Sequence, residues 1–419
     1  MKPPFSWDPH SDQPYQLDSV FKKEYRRGKH LSLAKTALSG LLFLPAAFLA
    51  LPFLRPRPVE ETRFVGMVVD PRREPAKTLD ALRELGIREI AVRIPMWDET
   101  AAEATEAFVK NAEGFDVLFV LMQDREHVEN GRLRSETFLK LFKRLSPFGR
   151  RFQIGTTVNR AKWGFFGIDE YLEFFRTARQ LRDEIFPDLK LIGPSVIDFE
   201  YHFTAHALFN FKGVKFDAVN ALLYVDRRGA PENLQAGCDL PCKINLLSSL
   251  VTLSPRARHP LYITETNWPL AGTAPYAPTS EKECVDEETY ASYMVRYFLL
   301  ALATRQVKTV YWHQLVAPGY GLVDHRDGFT KRPAFAALRT LQRMLENSRF
   351  VVLSQKKGLY EMVLEKPDGI LRIFWANGRK IPRQFSRVMT LTDRDGNTFE
   401  AALLKAGDAP VYLYEKEPA

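Results

Sequence analysis

The chain has 419 residues, of which 45% are hydrophobic and 26% charged, and its formal net charge is +8. This composition is typical of a globular protein and excludes a collagen-like or disordered chain, while the length allows one large barrel domain and a small extra unit. A basic chain can bind anionic partners, but its Lys and Arg residues are scattered, and the main cluster, 22–29, lies beside an apolar run. We therefore expect no nucleic-acid binding.

An uncharged apolar run occupies residues 36–54, TALSGLLFLPAAFLALPFL. Its length matches the roughly 17–25 residues of a membrane-spanning helix, and Pro45 is tolerated in such a helix. A cleaved signal peptide is the alternative, but the preceding segment is long and contains acidic residues, and no small-x-small cleavage site follows. The run is therefore predicted to be a signal anchor.

The orientation of this anchor is predicted from its flanks. Six Lys or Arg residues lie in 21–35 and three in 55–69, and the richer flank stays in the cytoplasm. We therefore expect a cytoplasmic basic segment, 1–35, a single pass of the inner membrane, 36–54, and all later residues in the periplasm.

From residue 64 onward, short β-branched or apolar runs alternate with amphipathic helical segments. The predicted strands are 64–70, 89–98, 115–124, 151–159, 190–200, 216–226, 260–269 and 308–316. The predicted helices include 76–86, 135–145, 169–186, 287–306 and 332–345. Such alternation implies parallel pairing with right-handed crossovers, and eight units predict an α/β fold, a (β/α)8 TIM barrel over 60–345. An open doubly wound sheet is the alternative, but no Gly-x-Gly-x-x-Gly turn follows the first strand.

After residue 346 the hydrophobic pattern changes to a period near two, with turn residues between the runs. This change predicts a small C-terminal all-β unit, 346–419, in which DRDGN (393–397) forms a hairpin-like turn.

Three cysteines occur, Cys238, Cys242 and Cys284. The first two could close a small disulfide in an oxidising compartment, with free thiols as the alternative. Their C-x-x-x-C spacing without a nearby His or fourth Cys disfavours zinc. Only His313 and His202 lie near predicted strand ends, so we expect no metal and no cofactor.

Polar and aromatic residues concentrate at the predicted carboxyl ends of the strands, where a barrel carries its function. They are Asp70, Arg93, Trp97, Asp98, Asp124, Asn159, Arg160, Trp163, Asp198, Glu200, Tyr224, Asp226, Glu265, Asn267, Trp268, Trp312 and His313. Indole faces pack on sugar rings, and carboxylates and amides bind hydroxyls. The mixture predicts a carbohydrate site, although any single Trp could instead plug the barrel mouth.

Five of these strand segments, AVRIP, TVNRAKWG, LLYVD, YITETNWP and VYWH, resemble those of the clan A glycoside hydrolases, the superfamily of cellulase-like and family 39-like barrels. The resemblance implies that Glu265 is the catalytic nucleophile and that Arg93 keeps it ionised. It also implies that Asn159 binds the sugar 2-hydroxyl, that Tyr224 neighbours the nucleophile and that Trp312 stacks under the reacting sugar. We further expect Trp97, Arg160, Trp163, Trp268 and His313 to contact the substrate.

The sequence departs from the family at Arg160, where the acid/base glutamate is expected. Retaining hydrolysis needs two carboxyl groups about 5–5.5 Å apart, and an arginine stays protonated. Three interpretations remain open. Glu200 could donate the proton, with Asp198 or Asp226 as further candidates. The substrate could be acidic and pair with Arg160 and Lys162. Alternatively, the barrel could bind glycans without cleaving them.

These observations predict a membrane-anchored glycoside hydrolase or transglycosylase that acts on surface polysaccharide or exopolysaccharide. The alternative is a catalytically inactive glycan-binding barrel in a polysaccharide export or assembly system. The sequence sets no expectation for the oligomeric state.

Overall fold

The computed structural model describes residues 4–225 and 229–416. Two short strands and two helices precede the main domain: β1 (Trp7–Asp8), β2 (Gln13–Pro14), α1 (Ser19–Arg26) and α2 (His30–Ala50). The next eight strands are β3 (Val65–Val69), β4 (Glu89–Pro95), β5 (Asp116–Met122), β6 (Arg151–Ile154), β7 (Lys190–Ile197), β8 (Ala218–Leu222), β9 (Leu261–Glu265) and β10 (Val307–Trp312). All eight pair in parallel and in sequence order, and β10 pairs with β3 to close the barrel.

In the part of the chain that the structure describes, nine α-helices connect or follow these strands and cover the outside of the barrel. They are α3 (Pro75–Glu84), α4 (Glu99–Val109), α5 (Arg125–Glu129), α6 (Gly131–Leu145), α7 (Ile168–Ile185), α8 (Tyr201–Leu208), α9 (Leu240–Leu253), α10 (Glu287–Thr304) and α11 (Pro333–Leu345). Because helices cover the strands on the outside and side chains fill the interior, strands such as β3 and β8 are buried along their whole length. The closed parallel barrel confirms the predicted fold class.

Two of the predicted strand-end acids have a structural role as helix caps. Asp98 accepts hydrogen bonds from the backbone N–H groups of Thr100 and Ala101 at the start of α4. Asp124 accepts from the N–H of His127 at the start of α5. Side-chain acceptors at this position satisfy N–H groups that the helix leaves unpaired. These two carboxylates are therefore explained by the fold.

The chain after the barrel forms a hairpin and a separate sheet. The strands are β11 (Val323–Asp324), β12 (Thr330–Lys331), β13 (Arg349–Lys356), β14 (Leu359–Lys366), β15 (Gly369–Ala376), β16 (Ile381–Thr392), β17 (Thr398–Ala406) and β18 (Val411–Lys416). The last six make one antiparallel sheet, in the order β13-β14-β15-β18-β16-β17. This sheet confirms the predicted C-terminal β unit, and β16 and β17 form a hairpin around 393–397 as predicted.

The C-terminal sheet is fixed to the barrel by buried arginines. Arg296 of α10 is fully buried and forms ion pairs with Glu232 and Asp408. Arg394, in the β16–β17 turn, donates to Ser292 of α10 at 2.8 Å. Since buried guanidinium groups need several acceptors, these contacts fix the sheet on α10 and on the loop after β8.

Helix α2 is a candidate membrane span by length and composition, because an 18-residue window within His30–Phe53 has a mean hydropathy of 1.8. In the structure it lies along the outer wall of the barrel against α8 and α9. Thr36 Oγ1 lies 2.8 Å from His206 Nδ1 of α8, and Ser249 of α9 donates to the carbonyl of Ala47 at 2.8 Å. The preceding segment 7–14 contacts the barrel mouth. The membrane topology, with residues 1–35 in the cytoplasm and the barrel in the periplasm, stays a prediction.

Candidate active site

A cavity of about 280 Å³ lies at the carboxyl ends of the barrel strands. Barrel residues form its floor and sides, and the N-terminal segment forms its outer wall. The barrel residues are Arg93, Thr157, Arg160, Ala161, Lys162, Trp163, Ile197, Tyr224, Glu265, Asn267, Pro278, Thr279, His313 and Tyr320. The N-terminal residues are Ser11, Asp12, Gln13, Gln16 and Lys22.

Glu265 is the last residue of β9, and its side chain faces this cavity. The hydroxyl of Tyr224, two residues beyond the end of β8, donates to Oε1 of Glu265 at 2.6 Å. Leu222 pairs with Glu265 across β8 and β9. Tyr224, two residues later, therefore lies close to Glu265 at the mouth of the barrel. A carboxylate thus points into the cavity with one oxygen oriented by a phenol.

Arg93, from β4, forms its direct ion pair with Asp12 of the N-terminal segment, at 2.9 Å, and both side chains are less than 10% exposed. Burial alone would raise the pKa of Asp12, but the charges of Arg93 and Arg73 hold it below its ordinary value. Burial opposes the charged form of Arg93, but the negative charges of Asp12 and Glu265 raise its pKa above the ordinary value. The direct partner of Arg93 is therefore Asp12, a residue of the segment 1–35 that was predicted to lie in the cytoplasm.

Arg160 lies at the edge of the cavity and forms two ion pairs with residues that follow β7. It donates to Oε2 of Glu200 and to Oδ2 of Asp198, each at 2.7 Å. Asn159 also donates to Glu200, at 2.7 Å, and its amide bonds the backbone N–H and carbonyl of Ile197. Neither Glu200 nor Asn159 lines the cavity.

The structure thus places both predicted residues outside the cavity lining. Glu200 accepts from the guanidinium of Arg160 and from the amide of Asn159, and the amide of Asn159 is used by β7 and Glu200. The roles of Glu200 in catalysis and of Asn159 in sugar binding stay predictions. Asp226, the remaining candidate acid, lies outside the described residues.

Lys162 and His313 are two further titratable groups that the barrel places in the cavity. Burial lowers the pKa of Lys162 to about 8, an effect that Arg160 strengthens and Glu265 opposes. The ammonium donates to Oε1 of Gln13 at 2.7 Å. Burial lowers the pKa of His313 to about 3, and its ring stacks on Tyr320. His313 is thus neutral near pH 7, while Lys162 changes charge just above it.

Trp268 and Trp312 are fully buried and do not line the cavity, which corrects their predicted role in sugar binding. Their rings stack on each other with centroids 5.8 Å apart, and Trp312 donates to the hydroxyl of Tyr290 in α10 at 2.6 Å. Successive residues of a barrel strand point alternately inward and toward the helices. Trp312 therefore packs under α10, and His313 is the residue that reaches the barrel mouth.

Trp97 and Trp163 lie at the mouth as predicted, but the N-terminal segment covers them. The ring of Trp7, in β1, lies 5.5 Å from that of Trp97 and 5.8 Å from that of Trp163. Trp97 stays 38% exposed, whereas Trp163 is 7% exposed and lines the cavity. Among the described residues, Trp163 is the tryptophan whose indole lines the cavity and can contact a ligand.

The N-terminal contribution to the site was missed by the sequence analysis. Gln13 bridges the mouth, since its amide accepts from Lys162 and donates to the carbonyl of Pro278 at 3.0 Å. The strands of this segment have two residues each, too few to show a periodic pattern. A contact between residues so distant in sequence has no local signal.

Cys238 and Cys242 form a disulfide. Within residues 4–225 and 229–416, no group of three His, Cys, Asp or Glu side chains could hold a metal ion.

No protein-family model and no curated protein matches the sequence, but solved structures match the fold. A family 39 glycoside hydrolase from the gut symbiont Bacteroides cellulosilyticus WH2 is 15% identical with a TM-score of 0.67, and the match spans 87% of this chain and 83% of that one. A GH39 β-xylosidase from Caulobacter crescentus is 14% identical with a TM-score of 0.58, over 87% and 98%. A GH30 endoxylanase from Clostridium papyrosolvens C71 is 11% identical with a TM-score of 0.57, over 86% and 98%. The chain thus has the barrel fold of these clan A glycoside hydrolases.

Proposed function

We propose that this chain binds carbohydrate at its barrel mouth without hydrolysing it. In this proposal the barrel is attached to the periplasmic face of the inner membrane and handles surface polysaccharide or exopolysaccharide. The observation that carries the absence of hydrolysis is the double ion pair of Arg160 with Asp198 and Glu200. Arg160 is a permanent cation at the position where the resemblance implies a proton donor. Its guanidinium also forms ion pairs with Asp198 and Glu200, the two carboxylates nearest to that position.

The remaining acids of the cavity do not supply the proton either. Of the described residues that line it, Asp12 and Glu265 carry carboxyl groups. Asp12 is ion-paired with Arg93, and its lowered pKa keeps it ionised. General acid help is worth about 10²–10⁴ in rate. A site with a carboxylate nucleophile and no acid would therefore bind ordinary glycosides but cleave them very slowly.

The charge balance of the cavity favours an uncharged sugar over a uronate or phosphate. The lining cations are Lys22, Arg93, Arg160 and Lys162. They are matched by four carboxylates, Asp12 and Glu265 in the lining and Asp198 and Glu200 behind Arg160. The cavity is slightly smaller than the roughly 300–1,000 Å³ of typical small-molecule sites, so we expect it to hold a single sugar ring.

Slow hydrolysis by Glu265 is the second candidate function. It is favoured by the 2.6 Å hydrogen bond from Tyr224 to Glu265, which orients the carboxylate as a nucleophile requires. Substrates with good leaving groups need no general acid, and they would reveal such a residual activity.

The cellular location is proposed from two features. Helix α2 has the apolar composition of a membrane anchor. The disulfide between Cys238 and Cys242 is typical of an oxidising compartment such as the periplasm.

The test combines binding and cleavage on the full chain. Oligosaccharides from extracted surface polysaccharide are titrated by calorimetry and then sized by chromatography, with wild type and Glu265→Gln. We expect wild type to bind them and to leave their size unchanged. Cleavage that requires Glu265 would replace the proposal with hydrolysis, and a lack of both binding and cleavage would reject both candidates.

A second experiment restores the missing acid. Arg160→Glu places a carboxyl group beside Asp198 and Glu200, whose negative charges favour its protonated form. If the proton donor is the missing part, this variant gains cleavage that Glu265→Gln abolishes. Arg150→Glu is the matched control, because Arg150 makes an exposed ion pair with Asp188 remote from the cavity.

A further inference from the structure

Helix α2 has its small and polar residues on the protein side and its large apolar residues on the outside. Ser32, Thr36, Gly40 and Ala47 are buried against the barrel. The exposed large side chains, here called the apolar stripe, are Leu31, Leu38, Leu41, Leu42, Phe48, Leu49 and Phe53, which are 43–82% exposed. A surface helix of a protein in water has the opposite arrangement, and exposed apolar surface of this extent marks an interaction site.

The buried face of α2 fits the barrel closely. A Cβ atom added to Gly40 would lie 2.7 Å from Cβ of His202 in α8. Thr36 and Ala47 form hydrogen bonds with α8 and α9, and Phe43 stacks on Phe209 after α8. Leaving the barrel would break all of these contacts, so the helix is a fixed part of the outer wall.

Both ends of α2 are joined to the barrel, at opposite ends of its axis. Lys29 pairs with Glu170 at the start of α7, near the mouth, at 2.9 Å. After the helix, the N–H of Arg57 donates to the carbonyl of Arg305, just beyond the end of α10, at 2.9 Å. Helix α2 therefore runs the length of the barrel, parallel to its axis, and cannot cross a bilayer while these contacts hold.

We propose that α2 lies in the plane of a membrane, with the apolar stripe in the lipid and the barrel on its side above it. This inference rests on the membrane attachment in the proposed function, but it replaces a transmembrane segment by an interfacial one. Interfacial helices bury their apolar face at the headgroup boundary and combine it with cationic residues.

The charges next to α2 complement an anionic lipid surface. Lys23, Arg26 and Arg27 precede the helix and are exposed, and Arg55 follows it and is exposed. Each cation near an anionic leaflet contributes about 1 kcal/mol to binding. The nearly fully exposed Phe211 lies two residues beyond Phe209, which stacks on α2. With the barrel axis parallel to the membrane, its mouth opens along the lipid surface, where a membrane-bound glycan would lie.

The first test locates both flanks of α2. In a Cys284→Ser background, His10→Cys marks the N-terminal segment and Asp188→Cys marks the barrel; both positions are exposed. Cells expressing each full-length variant are converted to spheroplasts or inverted vesicles and treated with a membrane-impermeant maleimide. An interfacial helix predicts that both cysteines react in the same preparation. Reaction in opposite preparations would overturn the inference while leaving membrane attachment intact.

The second test identifies what covers the stripe. Leu38→Gln/Leu41→Gln/Leu49→Gln is compared with Val351→Gln/Val352→Gln/Val388→Gln, which changes three exposed apolar residues of the C-terminal sheet. With vesicles of phosphatidylglycerol and phosphatidylethanolamine, we expect the stripe variant to bind at least tenfold more weakly and the control to bind as wild type. Equal vesicle binding by wild type, the stripe variant and the control variant would overturn the inference. A wild type that forms a dimer and does not bind vesicles would also overturn it. Oligosaccharide binding, measured in parallel, reports on the cavity alone.

Discussion

Asp12 and Arg93 form a buried ion pair, 2.9 Å between Oδ2 and Nη1, that joins the N-terminal segment to the barrel across 81 sequence positions. Each group balances the charge of the other where water is largely excluded. The segment before helix α2 is consequently part of the site and not only a leader to an anchor.

Asp12→Asn should release the N-terminal segment from the barrel mouth. Removing one partner of a buried ion pair typically destabilises a protein by about 3–5 kcal/mol. Here we expect this free energy to be lost from the contact that holds residues 4–16 on the barrel mouth. Hydrogen exchange of these amides should accelerate in the variant. Asp188→Asn, in an exposed ion pair, is the control and should change nothing. Unchanged exchange in Asp12→Asn would show that other contacts hold the segment.

The same ion pair has a defined pH dependence. Because the folded pKa of Asp12 lies below its ordinary value, its stabilising contribution is present above about pH 4. It is lost as the pH falls through the lower folded pKa. The protection factors of the amides of residues 4–16 in wild type, which compare the observed exchange with the intrinsic rate at each pH, should therefore fall below pH 4.

Lys162→Met should stabilise the protein at neutral pH. The pKa of Lys162 is about 8 in the folded chain and about 10.4 when unfolded, so stability rises with pH between these values. Below pH 8 the buried charge costs about 3 kcal/mol, which the variant removes. Denaturant unfolding should show a gain at pH 7 that shrinks by pH 10. Lys143→Met, at an exposed position of α6, should show no such pH-dependent gain.

His313→Gln should make the protein less sensitive to acid. The folded pKa of His313 is about 3, whereas the unfolded chain takes up this proton near pH 6.5. The wild type therefore loses about 3 kcal/mol through this residue between pH 6.5 and pH 4, and the variant does not. Unfolding free energies at the two pH values test this, and identical acid sensitivity would contradict the burial of a neutral ring.

Trp312→Phe should leave oligosaccharide affinity within about twofold, because Trp312 packs under α10 and does not reach the cavity. Truncation to Ala should destabilise the fold by about 3–5 kcal/mol. Trp163→Ala, which changes the indole in the lining, should weaken binding. Calorimetric titration and denaturant unfolding separate the two effects, and a large loss of affinity in Trp312→Phe would show that the ring contacts the ligand.

The fold was accessible from the sequence because its signals are local. Runs such as 89–98 and 308–316 predicted strands that the structure has at Glu89–Pro95 and Val307–Trp312. Their alternation with helical segments specifies a parallel barrel, since packing on both faces leaves few other arrangements. The strand order also placed Glu265 at the carboxyl end of β9, beside Tyr224.

The composition of the cavity was decided by tertiary structure alone. Whether a strand-end residue faces the mouth or the helices depends on strand register, and this separates His313 from Trp312. Arg160 could have faced a ligand or a carboxylate, and only the position of β7 assigns it to Asp198 and Glu200. Hydropathy and flanking charge predicted that the N-terminal segment lies across a membrane from the barrel, because such patterns report composition and not packing. Asp12 of this segment pairs with Arg93, which is distant in sequence. A local sequence pattern cannot predict such a long-range ion pair.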